Sequence, residues 1–183
     1  MKKAFKWFDE KLIDILNHKL NNRFLDKFMF VFTNFGGAIF TTCFTLVLIL
    51  LGKGKARFMG LQIGITLIIS QTITYSIKAL LGRERPYNTL EDLNTFDIVL
   101  KDHSFPSGHT SASFAIATAI AFNIPQISIL VFLIALIIGI SRIYLGVHYP
   151  TDVAAGIIVG IGSAVVSHAF LLDFIEKIME IMI

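Results

Sequence analysis

Lys78, Arg85, Ser107, Gly108, His109, Arg142, His148 and Asp152 form the part of this chain with the richest chemistry. They supply three cations, two imidazoles, one carboxylate and a glycine-bearing helix start. Moving a phosphoryl group through a histidine needs this inventory. It uses a nucleophilic imidazole, a group that fixes its tautomer, a proton donor for the leaving oxygen, and cations for the phosphoryl oxygens.

Each piece has a local reading. Lys78 interrupts an apolar segment close to its end. A lysine at the bilayer centre costs about 2.5–3.5 kcal/mol on insertion scales, whereas one near a helix end can reach the interface. Arg85 lies two helical turns further on, about 10 Å of rise. If the helix persists that far, both cations share a face, and Pro86 then ends the element. A lysine acts as a point charge and an arginine as a two-pronged donor, a pairing that suits phosphate. Arg83 falls off this face and reads as solvated, as does His103 in the following polar stretch.

Pro106-Ser107-Gly108-His109-Thr110 opens the next helix. Ser107 is a good N-cap, and Gly108 lets a ligand approach the backbone. Free amides and the helix dipole favour an anion there, and His109 would stand beside it as a proton donor. In the third piece, Pro150 suits a first helical turn. His148 would precede that turn and Asp152 would sit within it. The carboxylate could then hold one imidazole nitrogen and leave the other to attack, with Arg142 as a third cation. The residues alone leave open which histidine does which job. They ask for no metal, since zinc or magnesium needs clustered His, Cys or carboxylate ligands, and they imply no other cofactor.

The elements that must place these groups are apolar. The chain of 183 residues is 55% hydrophobic, with mean hydropathy +0.72. Runs 30–51, 58–81, 125–144 and 153–172 have the length of membrane helices. A fifth, 110–123, is too short for a full hydrocarbon layer, so its His109 end would sit in a recess. Phe5, Phe8, Leu12, Ile15, Leu16 and Leu20 follow helical spacing, which makes 1–23 an amphipathic helix on the membrane surface or packed on the bundle. The expected fold is all-α. It is a polytopic membrane bundle of about five transmembrane helices plus that N-terminal helix, in one domain (1–183), with 82–107 as a loop over the site. The partners expected are the lipid bilayer and a lipid phosphate. A net charge of +3 with no basic stripe excludes nucleic acid. Cys43 can form no internal disulfide. Gly156 and Gly160 have the spacing of close helix packing within the bundle. His168, in mid-span, reads as hydrogen-bonded inside the bundle, with no catalytic role.

Lys-x6-Arg-Pro, Pro-Ser-Gly-His and Ser-Arg-x5-His-x3-Asp occur complete and in order. On these motifs the chain resembles the type 2 phosphatidic acid phosphatase superfamily, which includes bacterial undecaprenyl-diphosphate and phosphatidylglycerophosphate phosphatases. The resemblance implies that His148 is a nucleophile that becomes phosphohistidine, oriented by Asp152. It makes His109 the general acid that later activates water. Lys78, Arg85, Ser107, Gly108 and Arg142 would hold the phosphoryl oxygens, without metal. Many members have six spans, and the span missing here would be the first.

The implied function is a lipid phosphate phosphatase in the cell membrane, with undecaprenyl diphosphate as first substrate and phosphatidylglycerophosphate or phosphatidic acid as alternatives. A lipid-phosphate transporter or binding protein is the alternative of another class. With five spans, every motif falls on one face together with the N-terminus. The resemblance places that face outside the cytoplasm, and a basic loop at Lys53, Lys55 and Arg57 agrees with it. Lys2, Lys3, Lys6, Lys11, Lys19, Arg23 and Lys27 argue the other way.

Overall fold

In hydrocarbon every backbone polar group must be satisfied internally, so long apolar runs fold as helices. The computed structural model describes residues 2–181, and every regular element among them is helical. Helix α1 (Lys2–Ile13) runs on into a wider-wound turn, Asp14–Lys19. Then follow α2 (Arg23–Phe32), a tight turn at Thr33–Gly36, α3 (Ala38–Leu51) and α4 (Lys55–Leu81). A short α5 (Pro86–Thr89) sits in the polar loop, before α6 (Gly108–Asn123), α7 (Ser128–Tyr144) and α8 (Pro150–Ile181).

Helix α6 lies at the centre, against α4, α7 and α8. Its Ala112, Ala115 and Ala119 are buried and small, which lets neighbouring backbones close in. Contact with α8 is tightest at Gly160, where a Cβ would lie 2.5 Å from the Ser111 carbonyl oxygen and 2.9 Å from the Ala115 nitrogen. The Gly156–Gly160 pair therefore serves packing inside the bundle. Ile39, Ile129 and Phe170 are among the large apolar side chains left exposed on the outer faces, as a bilayer surround requires.

By length and composition the count of spans differs slightly from the expected five. Three helices are long and apolar enough to cross a membrane, namely α4, α7 and α8. Residues 30–51 do not form one straight span. They are broken at Thr33–Gly36, and α2 with its turn meets α3 at 50°, a fourth span if the bent pair is counted as one. Helix α6 has 16 residues. It starts under the polar loop beside the second half of α4 and runs to Asn123, which bonds Gln62 near the α4 start.

The N-terminal helix docks on the bundle. Its buried stripe is Asp9, Ile13 and Asn17, two of them polar. The Asn17 amide donates to the Tyr144 carbonyl (2.7 Å) and the Asn94 carbonyl (2.8 Å). Phe5, Trp7 and Phe8 face outward on the same helix. Docking and an exposed apolar edge thus coexist.

Two polar layers cross the bundle. At the far end, Gln62 of α4 hydrogen-bonds His168 of α8 (3.0 Å) and accepts from Asn123 of α6 (2.6 Å), so His168 is an internal partner as expected. At the near end, the starts of α6 and α8, the ends of α4 and α7, the polar loop and α1 come together.

Candidate active site

Lys78 stands in the last turns of α4. The helix does not persist to Arg85. Gly82 closes it in the left-handed conformation (φ 56°), a position glycine takes without steric cost. Arg85 is extended (φ −79°, ψ 153°) and Pro86 begins α5. The two cations converge because the chain turns at Gly82. Their common target is Asp102: Lys78 Nζ reaches Oδ2 at 2.6 Å and Arg85 reaches Oδ1 at 2.7 Å. Lys78 also donates to the His103 carbonyl (2.7 Å), whereas the His103 side chain is exposed as expected. Burial alone would raise the Asp102 carboxyl. The Lys78 hydrogen bond and the charges of Lys78 and Arg85 outweigh it and hold the pKa at about 2.

A cavity of about 520 Å³ opens between Lys78, Arg85, Gly108, His109, Arg142 and His148. Six of the eight residues expected at the site meet there. Ser107 and Asp152 stand behind the wall. The Ser107 hydroxyl caps α6, accepting from the Thr110 hydroxyl (2.9 Å), and the Ser107 amide donates to the Asp152 carbonyl (3.0 Å). The α6 and α8 starts are thus pinned to each other.

Arg142 is buried. It donates to Thr33 at the α2–α3 bend (2.8 Å), and its Nε has no hydrogen-bond partner among the described residues. An unpaired guanidinium donor beside a cavity is suited to an anion. Gly36, on the same bend, lets it close onto α6 and α7, because a Cβ there would lie 2.6 Å from the Ile138 side chain and 2.8 Å from the Ser113 hydroxyl.

His148 is 2% exposed, so its ring nitrogens answer only to protein groups and the cavity. Arg85 Nη1 lies 3.3 Å from Nε2 and also donates to the Val147 carbonyl. Arginine has no acceptor, so in this contact Nε2 accepts and the proton belongs on Nδ1. Nδ1 faces the Ser104 hydroxyl (3.4 Å) and Asp152 Oδ2 (3.5 Å). Ser104 itself donates to Oδ2, which also accepts from the Tyr149 amide (2.8 Å). Burial first, then the charges of Arg142, Arg85 and Lys78, push His148 well below the ordinary imidazole value. The ring is therefore neutral, and its Nε2 lone pair meets Arg85 at the cavity wall. Of the two histidines, His148 has the carboxylate behind it.

Arg83 is only partly exposed and is not free in solvent. It joins Asp152 Oδ1 (2.6 Å), Thr151 (2.7 Å) and Asp9 of α1 (2.8 Å). Sequence reasoning missed Asp9, Thr33, Arg83, Asp102 and Ser104. Their partners lie far away in the chain, as the separation of 74 residues between Arg83 and Asp9 illustrates. The available signal was position: Asp102 and Ser104 lie just ahead of Pro-Ser-Gly-His, and Arg83 lies inside Lys-x6-Arg-Pro.

The profile of the PAP2 superfamily matches residues 59–176. Undecaprenyl-diphosphatase BcrC of Bacillus subtilis is 34% identical over 152 residues, which are 82% of this chain and 76% of that protein. The bacitracin transport permease protein BcrC of Bacillus licheniformis is 36% identical over 110 residues, and the match spans only 54% of its length. The crystal structure of Aquifex aeolicus LpxE superposes with a TM-score of 0.79 at 29% identity, covering 88% of this chain and 95% of that one. Fold and family together define an all-helical membrane phosphatase. The chain belongs to the PAP2 superfamily.

Proposed function

We propose that this protein removes a phosphoryl group from a membrane lipid through a phosphohistidine on His148. The carrying observation is the polarity of that ring: Nε2 beside Arg85 at the cavity, Nδ1 backed by Ser104 and Asp152. Nε2 attacks phosphorus while the bond to the leaving oxygen breaks, and His109 protonates that oxygen. Asp152 stabilises the charge that appears on the ring. Lys78, Arg85 and Arg142, with the α6 amides after Ser107 and Gly108, hold the non-bridging oxygens. His109 then takes a proton from water, which attacks phosphorus and breaks the P–N bond. Inorganic phosphate leaves and both imidazoles return to their starting state.

Undecaprenyl diphosphate is the favoured substrate, supported by the name of the Bacillus subtilis relative. Phosphatidylglycerophosphate and phosphatidic acid present the same phosphoryl group and are the runners-up. The site would face away from the cytoplasm, a reading supported by the basic turn at Lys53, Lys55 and Arg57 at the opposite end.

Phosphate release from these three lipids, compared as kcat/KM, tests the substrate. Trapping of labelled phosphate on the parent chain and its loss in His148→Ala tests the chemistry. Uptake or binding of the lipid with no phosphate release would instead mark a transporter or binding protein.

A further inference from the structure

Asp152 must present one oxygen to His148, and it is fully buried, so its orientation depends on its partners. Oδ2 is held by Ser104 and the Tyr149 amide, whereas Oδ1 is held by Arg83. Arg83 is in turn fixed on three sides. One nitrogen takes both Asp152 and Thr151, the other takes Asp9, and the guanidinium lies 3.9 Å over the Tyr149 ring. Asp9 also accepts from the Thr151 amide (3.0 Å) and hydroxyl (2.7 Å). The N-terminal helix therefore grips the residue next to the catalytic carboxylate and the arginine that bonds it.

We infer that Arg83 is a positioning residue for the His148–Asp152 pair and that Asp9 of α1 acts through it. The inference rests on the roles proposed above for His148 and Asp152. Arg83 lies behind Asp152, away from the residues around the cavity, so its effect belongs to turnover rather than to affinity. A planar fork can serve two carboxylates and a hydroxyl together, and a lysine ammonium on a flexible stem cannot hold that arrangement. Arg83 also sets how much of the Asp152 charge reaches the ring. His148 is otherwise faced by Lys78, Arg85, Arg142 and His109 around the cavity and by Asp102 on the loop. Without Arg83 the carboxylate is less compensated, the imidazolium is favoured, and the acid limb of kcat/KM moves to higher pH.

The test uses the full chain in phosphatidylcholine vesicles, with phosphate release from undecaprenyl diphosphate and phosphatidic acid. Arg83→Ala should lower kcat by roughly tenfold to a hundredfold, with KM within about twofold, because the lost contact does not touch substrate. Arg83→Lys should recover part of that loss. The acid limb should move up in Arg83→Ala. Asp9→Ala should lower kcat less, and adding it to Arg83→Ala should cost clearly less than it costs in the parent chain, the remainder being its own bonds to Thr151.

Independent, multiplying losses would show that Asp9 does not act through Arg83 and would overturn the coupling. If Arg83→Ala does not fold, Arg83→Lys and Asp9→Asn carry the same comparison. Loss of release in His148→Ala with full turnover in the Arg83 variants overturns this inference alone. Release that survives in His148→Ala overturns the proposed function itself.

Discussion

The carboxylate of Asp102 lies between Lys78 and Arg85, one oxygen on each cation. Two of the cations proposed to hold phosphate thus share an internal anion. Removing that charge should strengthen the hold on an external one. Asp102→Asn should lower the inhibition constants of phosphate and vanadate by roughly threefold to tenfold, an effect of the order of 1 kcal/mol for a partly exposed pair. Weaker inhibition in this variant would make Asp102 a scaffold for the cations instead. With its pKa near 2, Asp102 stays ionised throughout any assay range. Its stabilising contribution is present above the unfolded carboxyl value and is lost only as pH falls toward 2.

The two histidines should be separable by kinetics. His148→Ala and His109→Ala should each lower turnover by about a hundredfold or more, the low end for a positioned acid or base. Only His148→Ala should abolish trapping of labelled phosphate on the protein. A folded His148→Ala chain with near-parent turnover would refute the nucleophile assignment.

As the proposed nucleophile, His148 must be neutral to attack. His148 is depressed by burial and by Arg142, Arg85 and Lys78, so protonation should silence it only at low pH. The acid limb of kcat/KM should lie below about 6.5, the ordinary imidazole value. The same depression works against stability in acid. Below about 6.5 the unfolded chain takes up a proton that the folded chain refuses, so thermal stability should fall as pH drops from 7 to 5.

Charge stabilisation is assigned to Lys78, Arg85 and Arg142, so turnover should survive excess chelator. Vanadate should inhibit by adopting the five-coordinate geometry of phosphorus during transfer. Activity lost in chelator and restored by one divalent ion would contradict this.

Membrane orientation can be read with cysteines. Glu91 is exposed on the site loop, whereas Asn94 is tied to Asn17. Glu91→Cys and Gly54→Cys, each in a Cys43→Ser background, should differ toward an impermeant thiol reagent in intact cells. Labelling at 91 with protection at 54 fits an outward site; the opposite pattern reverses the protein.

Helix packing gives a stability test with its own control. A Cβ at Gly160 would press on α6 backbone, whereas one at Gly162 meets nothing within 4 Å. Gly160→Ala should destabilise by roughly 1–3 kcal/mol, as overpacking does. Gly162→Ala should leave the unfolding temperature unchanged or slightly higher.

Much of the site was legible because its groups are few, costly to place near hydrocarbon, and fixed in spacing by helix starts. Lys78 and Arg85 were correctly joined for an incomplete reason, since the turn at Gly82 brings them together rather than helical phase. Arg83 was misread because its partners, Asp9 and Asp152, sit on helices distant in the chain, and no local pattern encodes a tertiary ion pair. The bend at Thr33–Gly36 was hidden because apolar residues flank it on both sides, although Asn34, Gly36 and Gly37 marked it. The docked stripe of α1 was obscured for the opposite reason: Asp9 and Asn17 are polar, and apolar periodicity passes over them.

The Gln62–Asn123–His168 layer has a mechanical consequence for the opposite end of the molecule. Slipping α4, α6 or α8 by one turn would strand a buried amide or imidazole, which costs about 1–3 kcal/mol for each orphaned group. The three helices are thus bolted in register at one end. At about 1.5 Å per residue, α4 carries that register some 24 Å from Gln62 to Lys78. Lys78 is held in place by a clasp at the opposite end of the bundle.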